Sequence, residues 1–495
     1  MSIYYHSTRG GEKGVTAAEA ILKGIADDGG LFVPMTFPKL DKSLDELKNM
    51  TYQETAYYIM SKFYTDFEEQ ELKECIEKAY DEKFDTEVIA PINNKVGVSF
   101  IELFHGPTIA FKDMALSILP HLMKTSAKKL NISKEIVVLT ATSGDTGKAA
   151  LEGFANVEGT KIIVFFPENG VSEIQKRQMV TQVGANTHVI GIDGNFDDAQ
   201  RGVKEMLTDD NFIKKINENN YMFSSANSIN IGRLVPQIVY YFYTYGQMLK
   251  SGEITAGDKI NVVVPTGNFG NILAAYYGKK MGLPIDKLIC ASNQNNVLVD
   301  FFNTGVYDRN REFVLTISPS MDILISSNLE RLIFEITGED ADKTRSFMES
   351  LKETGKYEIT EDMKARLVDF YGGFATEEET AAAVKNVFEE AQYLLDTHTA
   401  VAYSVYKEYA QKTEDKTKTA VASTASPFKF TTSVMKAVDE KYSSFDDFQL
   451  LNEMEKLSGV SIPKGIKDID KKPVLHKTIC KKEEMKKAVE AFLNI

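Results

Sequence analysis

The chain has 495 residues, 43% of them hydrophobic and 26% charged, enough for two or three domains with cores of their own. A net charge of −14 argues against nucleic acid or an anionic membrane as the main partner, yet leaves room for a local positive pocket that takes a small anion. The three cysteines, Cys75, Cys290 and Cys480, lie far apart with no CxxC or Cys/His cluster, so neither a metal site nor a disulfide framework is expected and a reduced cytoplasmic setting fits best. The opening MSIYYHSTRGG has no apolar core of signal-peptide length, and no stretch reads as a membrane span.

Residues 1–92 read as a mostly helical, charged domain. A helix is expected over 17–26, stopped by Asp27-Asp28-Gly29-Gly30, then a short extended piece at 31–34 and an amphipathic helix within 67–84. From about residue 95 the texture changes. β-rich runs at 135–140, 161–166, 187–192, 221–224, 259–264 and 288–292 alternate with helical patterns, which argues for βαβ units and mostly parallel sheet. The first four runs form one small sheet and the later ones, with 419–423, a second. The fold class is therefore α/β: two doubly wound domains with a cleft between them. The expected division is a large domain of 93–128 and 235–495, with a helical insertion at about 300–395, and a small domain of 129–234. Thr376 and Glu379 form a capping box in the helical part. The helix over 481–493 reads as exposed, its charges serving solvation.

The candidate chemistry centres on Lys112 in FHGPTIAFKDMA, residues 104–115. Gly106 and Pro107 mark a loop, and a lysine between that loop and an apolar helix is partly desolvated, which favours the free amine that attacks carbonyls. The competing reading is a snorkelling surface lysine. Gly267, Asn268, Phe269, Gly270 and Asn271 lie between a strand and a helix, where backbone N–H groups and the helix dipole suit an anion; the same window also reads as an ordinary turn. Thr142, Ser143, Asp145 and Thr146 sit at a second strand-to-helix turn, as anion ligands or as helix caps. Asn227, Ser228 and Arg233 precede a long apolar helix; Arg233 is a fork donor suited to phosphate, or a surface salt-bridge partner. Thr424 lies at the carboxyl end of a strand, where open α/β sheets bind ligands, or in a plain turn. His105 reads as a structural histidine.

HGPTIAFKDMA, TSGDTGKAA, SANSINIGR, PTGNFGN, SPSMDILISSNLERL, DTHTAVA and STASPFKF follow one another in this order. Together they closely resemble the threonine synthases, pyridoxal-phosphate enzymes of the tryptophan-synthase-β-like fold, and LKGIADDGGLFVP resembles the amino-terminal domain of the longer members. The resemblance covers nearly the whole chain. It implies that Lys112 carries pyridoxal 5′-phosphate as an internal aldimine, that Gly267–Asn271 cradles the cofactor phosphate, and that Thr424 bonds the ring nitrogen. Asp145 stands where many relatives carry Asn near the cofactor's phenolic oxygen, although SGDTG is common in the longer threonine synthases. The implied reaction is that of a carbon–oxygen lyase of threonine biosynthesis, turning O-phospho-L-homoserine and water into L-threonine and phosphate. Thr142, Ser143 and Thr146 would hold one substrate anion and Asn227, Ser228 and Arg233 the other. Another lyase of the same fold, such as a serine or threonine dehydratase, and a non-catalytic binder of a phosphorylated metabolite are the alternatives. A monomer or homodimer is expected.

Overall fold

Six strands form the large sheet, in the order Phe370–Phe374, Ile285–Ser292, Ile260–Pro265, Thr419–Ser423, Val98–Glu102 and Ile92–Lys95, in the computed structural model, which describes residues 2–142, 144–169 and 171–495. All neighbours are parallel except the last two, which form a hairpin. Ile260–Pro265 (INVVVP) and Thr419–Ser423 (TAVAS) are buried along their whole length, as a sheet covered on both faces requires. Phe370–Phe374 lies within the stretch read as helical. Its sequence FYGGF weakens the β pattern, but the packing is close: a Cβ on Gly373 would lie 2.6 Å from Val405 Cγ1, and one on Gly372 would be tight at 3.2 Å from Val299 Cα.

The small sheet is fully parallel, in the order Thr478–Lys481, Thr187–Asp193, Thr160–Pro167, Glu135–Ala141 and Tyr221–Ser224. The assignment of 235–495 to the large domain therefore fails at its end. Thr478–Lys481 pairs with Thr187–Asp193, and the helix Met485–Leu493 buries Met485, Val489 and Leu493 in the core that holds Val137 and Ile163. Nor is its charge only solvation: Lys486 meets Asp209 at 2.7 Å and Glu490 meets Lys215 at 2.9 Å. Helical periodicity marks an apolar face but not the surface that covers it.

The N-terminal region combines a three-stranded antiparallel sheet, in the order Lys13–Val15, Tyr5–Ser7 and Phe32–Pro34, with helices Ala17–Lys23, Tyr52–Phe63 and Glu69–Ala79. The first helix ends earlier than expected because Gly24 adopts φ +76° and closes it. The long helix Ile231–Ser251 is buried continuously from Ile231 to Gly246 and packs between the N-terminal helices and Gly270–Met281. The Thr376 capping box forms, with Glu379 N–H donating to Thr376 Oγ1 at 3.2 Å and Thr376 N–H to Glu379 Oε2 at 2.8 Å. Among the described residues no helix is long and apolar enough to cross a membrane.

Candidate active site

Five strands deliver the candidate residues from their carboxyl ends, the edge of an open parallel sheet where ligands bind. Val98–Glu102 leads to the Lys112 loop, Glu135–Ala141 to residues 142–147, Tyr221–Ser224 to 227–233, Ile260–Pro265 to 266–271, and Thr419–Ser423 to 424–429. The Lys112 loop is closed on itself. Asp113 is buried and accepts Thr108 N–H at 2.8 Å and the Thr108 hydroxyl at 2.6 Å. Burial lifts the Asp113 carboxyl to about 6 against those two bonds. Ile109 is held at φ +56°, rare for a β-branched residue, with its carbonyl fixed by Ser426 N–H at 3.0 Å. Thr424 is buried beside this loop, its carbonyl accepting Phe111 N–H at 2.8 Å.

The loop presents the Lys112 amine to a small polar group. Nζ donates to Ser320 Oγ at 3.3 Å and lies 3.6 Å from Asp145 Oδ2. Ser320 in turn donates to Asp145 Oδ2 at 3.3 Å. Burial lowers the Lys112 pKa; Asp145 opposes this, while Lys429 and Arg233 push the same way as burial. Burial alone would raise the Asp145 carboxyl, but Lys429 and Lys112 overcome it and hold the group well below the ordinary range. Ser320 is itself positioned from behind. Its N–H donates to His398 Nε2 at 3.1 Å, and His398 Nδ1 faces Asp396 Oδ1 at 3.0 Å. An acceptor at Nε2 requires the proton on Nδ1, so Asp396 fixes the tautomer.

The glycine-rich turn faces the same serine. A Cβ on Gly267 would lie 2.5 Å from the Ser320 carbonyl oxygen, so close approach needs glycine here. Ser326 Oγ donates to Gly267 O at 2.7 Å, and Asn328 donates to Asn268 O from its backbone at 3.1 Å and its side chain at 2.9 Å. Phe269 takes φ +64° to start the helix Gly270–Met281, whose first N–H groups have no helical partners. Its ring is buried near Phe302 and Phe370. Asn271 accepts from Tyr240 OH at 2.8 Å and from Tyr241 OH, which leaves its buried Nδ2 donor without a partner among the described residues. Asn268 is exposed, so it contributes backbone rather than a buried side chain.

The remaining candidates divide. Thr142 is buried and its hydroxyl oxygen accepts N–H groups of Gly144 at 3.0 Å and Gly147 at 2.9 Å, so it shapes its own loop. Thr146 is half-buried in the first turn of Asp145–Phe154, and Ser143 lies outside the described residues. Asn227 is exposed and accepts from Ser228 Oγ at 3.2 Å. Arg233 is 3% exposed; one end donates to Ala226 O at 2.9 Å, while Nε has no partner among the described residues. Burial lowers its pKa to about 10. A buried guanidinium with a spare donor is suited to an anion. His105 is structural, between Asp85 at 2.5 Å and Glu102 at 2.9 Å; burial would lower its pKa, but both carboxylates raise it to about 9.

Sequence reasoning did not single out Ser320, His398, Asp396, Asn328 or Lys429. The motifs SPSMDILISSNLERL, DTHTAVA and STASPFKF contain all five, but nothing in their spacing says that they meet at one amine.

Comparison with known proteins places three family models on the chain: threonine synthase N terminus at residues 4–80, pyridoxal-phosphate dependent enzyme at 94–425, and threonine synthase, C-terminal at 399–480. The chain is 41% identical over 440 residues to threonine synthase-like 1 of Homo sapiens, a match covering 86% of this chain and 58% of that protein's length. It is 35% identical over 502 residues to threonine synthase of Saccharomyces cerevisiae, covering 95% and 96% of the two chains. The solved structure of PLP-bound threonine synthase from Brucella melitensis superposes with a TM-score of 0.87 at 33% identity, over 100% of both chains.

Proposed function

The chain belongs to the threonine synthase family of pyridoxal-phosphate-dependent enzymes, and from that premise we propose that it converts O-phospho-L-homoserine and water to L-threonine and phosphate. The observation that carries this reading is the placing of Ser320, which touches the Lys112 amine through Oγ and packs its carbonyl on Gly267 of the glycine-rich turn. A reactive amine and an anion cradle thus share one wall, as a cofactor bearing both an aldehyde and a phosphate demands.

The residues fit that cofactor. Backbone N–H groups of the Gly267–Asn271 turn and the free Asn271 Nδ2 suit its phosphate, Thr424 offers a hydroxyl for the ring nitrogen, and Asp145 lies near the amine. When bound, pyridoxal phosphate supplies an electron sink that lets protons leave carbons near the substrate's amino group. Lys112 would hold and return the protons that move. Arg233, with Asn227 and Ser228, takes the substrate phosphate and supports its departure; Thr146 and the helix start beside it, with Thr142 shaping the loop and Ser143 within it, take the carboxylate. Burial of the amine keeps water back until it is needed. We place the enzyme in the cytoplasm.

The purified protein should release phosphate and L-threonine from O-phospho-L-homoserine, and borohydride reduction should fix the cofactor on Lys112. Lys112→Ala should abolish turnover while still binding the substrate. Turnover of serine or threonine to a keto acid, with none of phosphohomoserine, would replace this reading with the dehydratase one, which has no use for the spare donor of Arg233.

A further inference from the structure

We propose that Lys429 keeps the Lys112 amine in its free-base form by occupying the Asp145 carboxylate. Two lysines compete for one carboxylate. Lys429 Nζ lies 3.1 Å from Asp145 Oδ1 and also donates to Thr108 O at 2.9 Å, so its charge has a carboxylate and a carbonyl to face. Lys112 Nζ lies farther off, at 3.6 Å, and its other neighbour is Ser320 Oγ, whose own proton is committed to Asp145. The better-solvated ammonium is therefore Lys429, and Lys112 is the amine left to give up its proton. The Lys429 side chain is fully enclosed, so it acts through Asp145 and is a positioning residue, closed to substrate.

The other charged groups around this pair have partners or act in the same sense. Asp113 is committed to Thr108, and Lys148 is paired with Glu152 at 2.9 Å. Gln175 Nε2 donates to Asp145 Oδ1 at 2.9 Å without changing the charge count. Arg233 adds a second positive charge that disfavours protonated Lys112. His398 faces Asp396 and the Ser320 N–H.

The inference rests on Lys112 being the reacting amine, but its test reads that amine directly, whether or not phosphohomoserine is turned over. The 495-residue chain, freed of cofactor, is treated with trinitrobenzenesulfonate across pH, and the rate at the Lys112 peptide is followed by mass spectrometry. Lys429→Met should raise the pH midpoint of the Lys112 reaction by about 1–2 units, because Asp145 then pairs with Lys112 alone. Adding Asp145→Asn should return the midpoint to within about half a unit of the unaltered chain. A Lys429→Met midpoint that stays within about 0.3 of a unit, or falls, overturns the proposal. Should Lys429→Met not fold, Asp145→Asn alone is set against the double variant. Asp145→Asn should lie at least about 1 unit below the double variant, because Lys429 then acts on Lys112 uncompensated. Coincident midpoints show that Lys429 does not reach Lys112 and overturn the proposal equally.

Discussion

Gly267→Ala tests whether the glycine-rich turn and the Lys112 amine share one rigid wall. The added Cβ would sit 2.5 Å from the Ser320 carbonyl oxygen, where ordinary contact begins near 3.4 Å, so the two must part by about 0.7–0.9 Å. Neither side is free to give. Gly267 O and Asn268 O are held by Ser326 and Asn328, while Ser320 is held by His398, Lys112 and Asp145. Overpacking of this kind destabilises by about 1–3 kcal/mol. A shift of that size also misplaces one N–H donor of the turn, worth about 1.5–3 kcal/mol toward a charged acceptor, so the cofactor dissociation constant should rise about 10- to 200-fold. Equilibrium dialysis of the cofactor-free variant against pyridoxal phosphate, read by the absorbance of the bound form, measures this. Gly278→Ala in the same helix is the control, because its Cβ would meet Phe242 no closer than 3.5 Å and affinity should be unchanged. A Gly267→Ala constant within about threefold of the unaltered protein's would refute the shared-wall argument.

Arg233→Ala should raise KM for O-phospho-L-homoserine about 10- to 100-fold, from loss of a charge-assisted contact, with Arg233→Lys recovering part of it; steady-state kinetics that show equal KM values would remove Arg233 from the phosphate site. His105 gives a pH signature of stability. Its folded pKa is raised to about 9, so its contribution is fully present below the unfolded value near 6.5 and is lost as pH rises through 9. The unaltered chain should therefore lose about 2–3 kcal/mol more stability than His105→Asn between pH 6.5 and pH 9.5. Urea unfolding at the two pH values measures the difference, and parallel losses in the two chains would show that the Asp85–His105–Glu102 cluster does not carry it.

Much of the scaffold was legible because it is local. Continuous apolar runs such as INVVVP and EIVVLTA mark strands buried on both faces, and a glycine-rich turn after each marks a helix start at the ligand edge. Lys112 was legible for the same reason, as one cation between a Gly-Pro loop and an apolar helix. Its neighbours were not. Ser320 stands 208 residues away, in a stretch that reads as helical, and Lys429 is farther still, in one that reads as a turn. Arg233 and Thr142 show the opposite failure. Both residue types suit an anion on paper, but Thr142 spends its oxygen on Gly144 and Gly147, while Arg233 keeps a donor free. Hydrogen-bond satisfaction separates the two, and it is a property of the folded chain.

The helical insertion earns its length at the site. Its loop 316–328 is clamped by Asn293 and Asn295, which reach Thr316, Ser318 and Asp322, and from that clamp it sends Ser320 to the amine and Ser326 and Asn328 to the glycine-rich turn. Arg331 then ties this loop to the rest. Fully buried, it donates to Asn328 Oδ1, to Phe32 O at 3.0 Å in the N-terminal sheet, and to Ile229 O at 2.6 Å in the Asn227–Arg233 loop. One guanidinium thus braces the glycine-rich turn, the N-terminal region and the loop of Arg233 as a single block. The two loops assigned to the substrate's anions therefore stand on different footings: 227–233 is fastened to that block, whereas 142–147 rides on the small sheet and reaches the amine through Asp145. Asp145 meets Lys112, Ser320 and Lys429 together, so the register between the two halves of the site is read at the same carboxylate that governs the proton on Lys112.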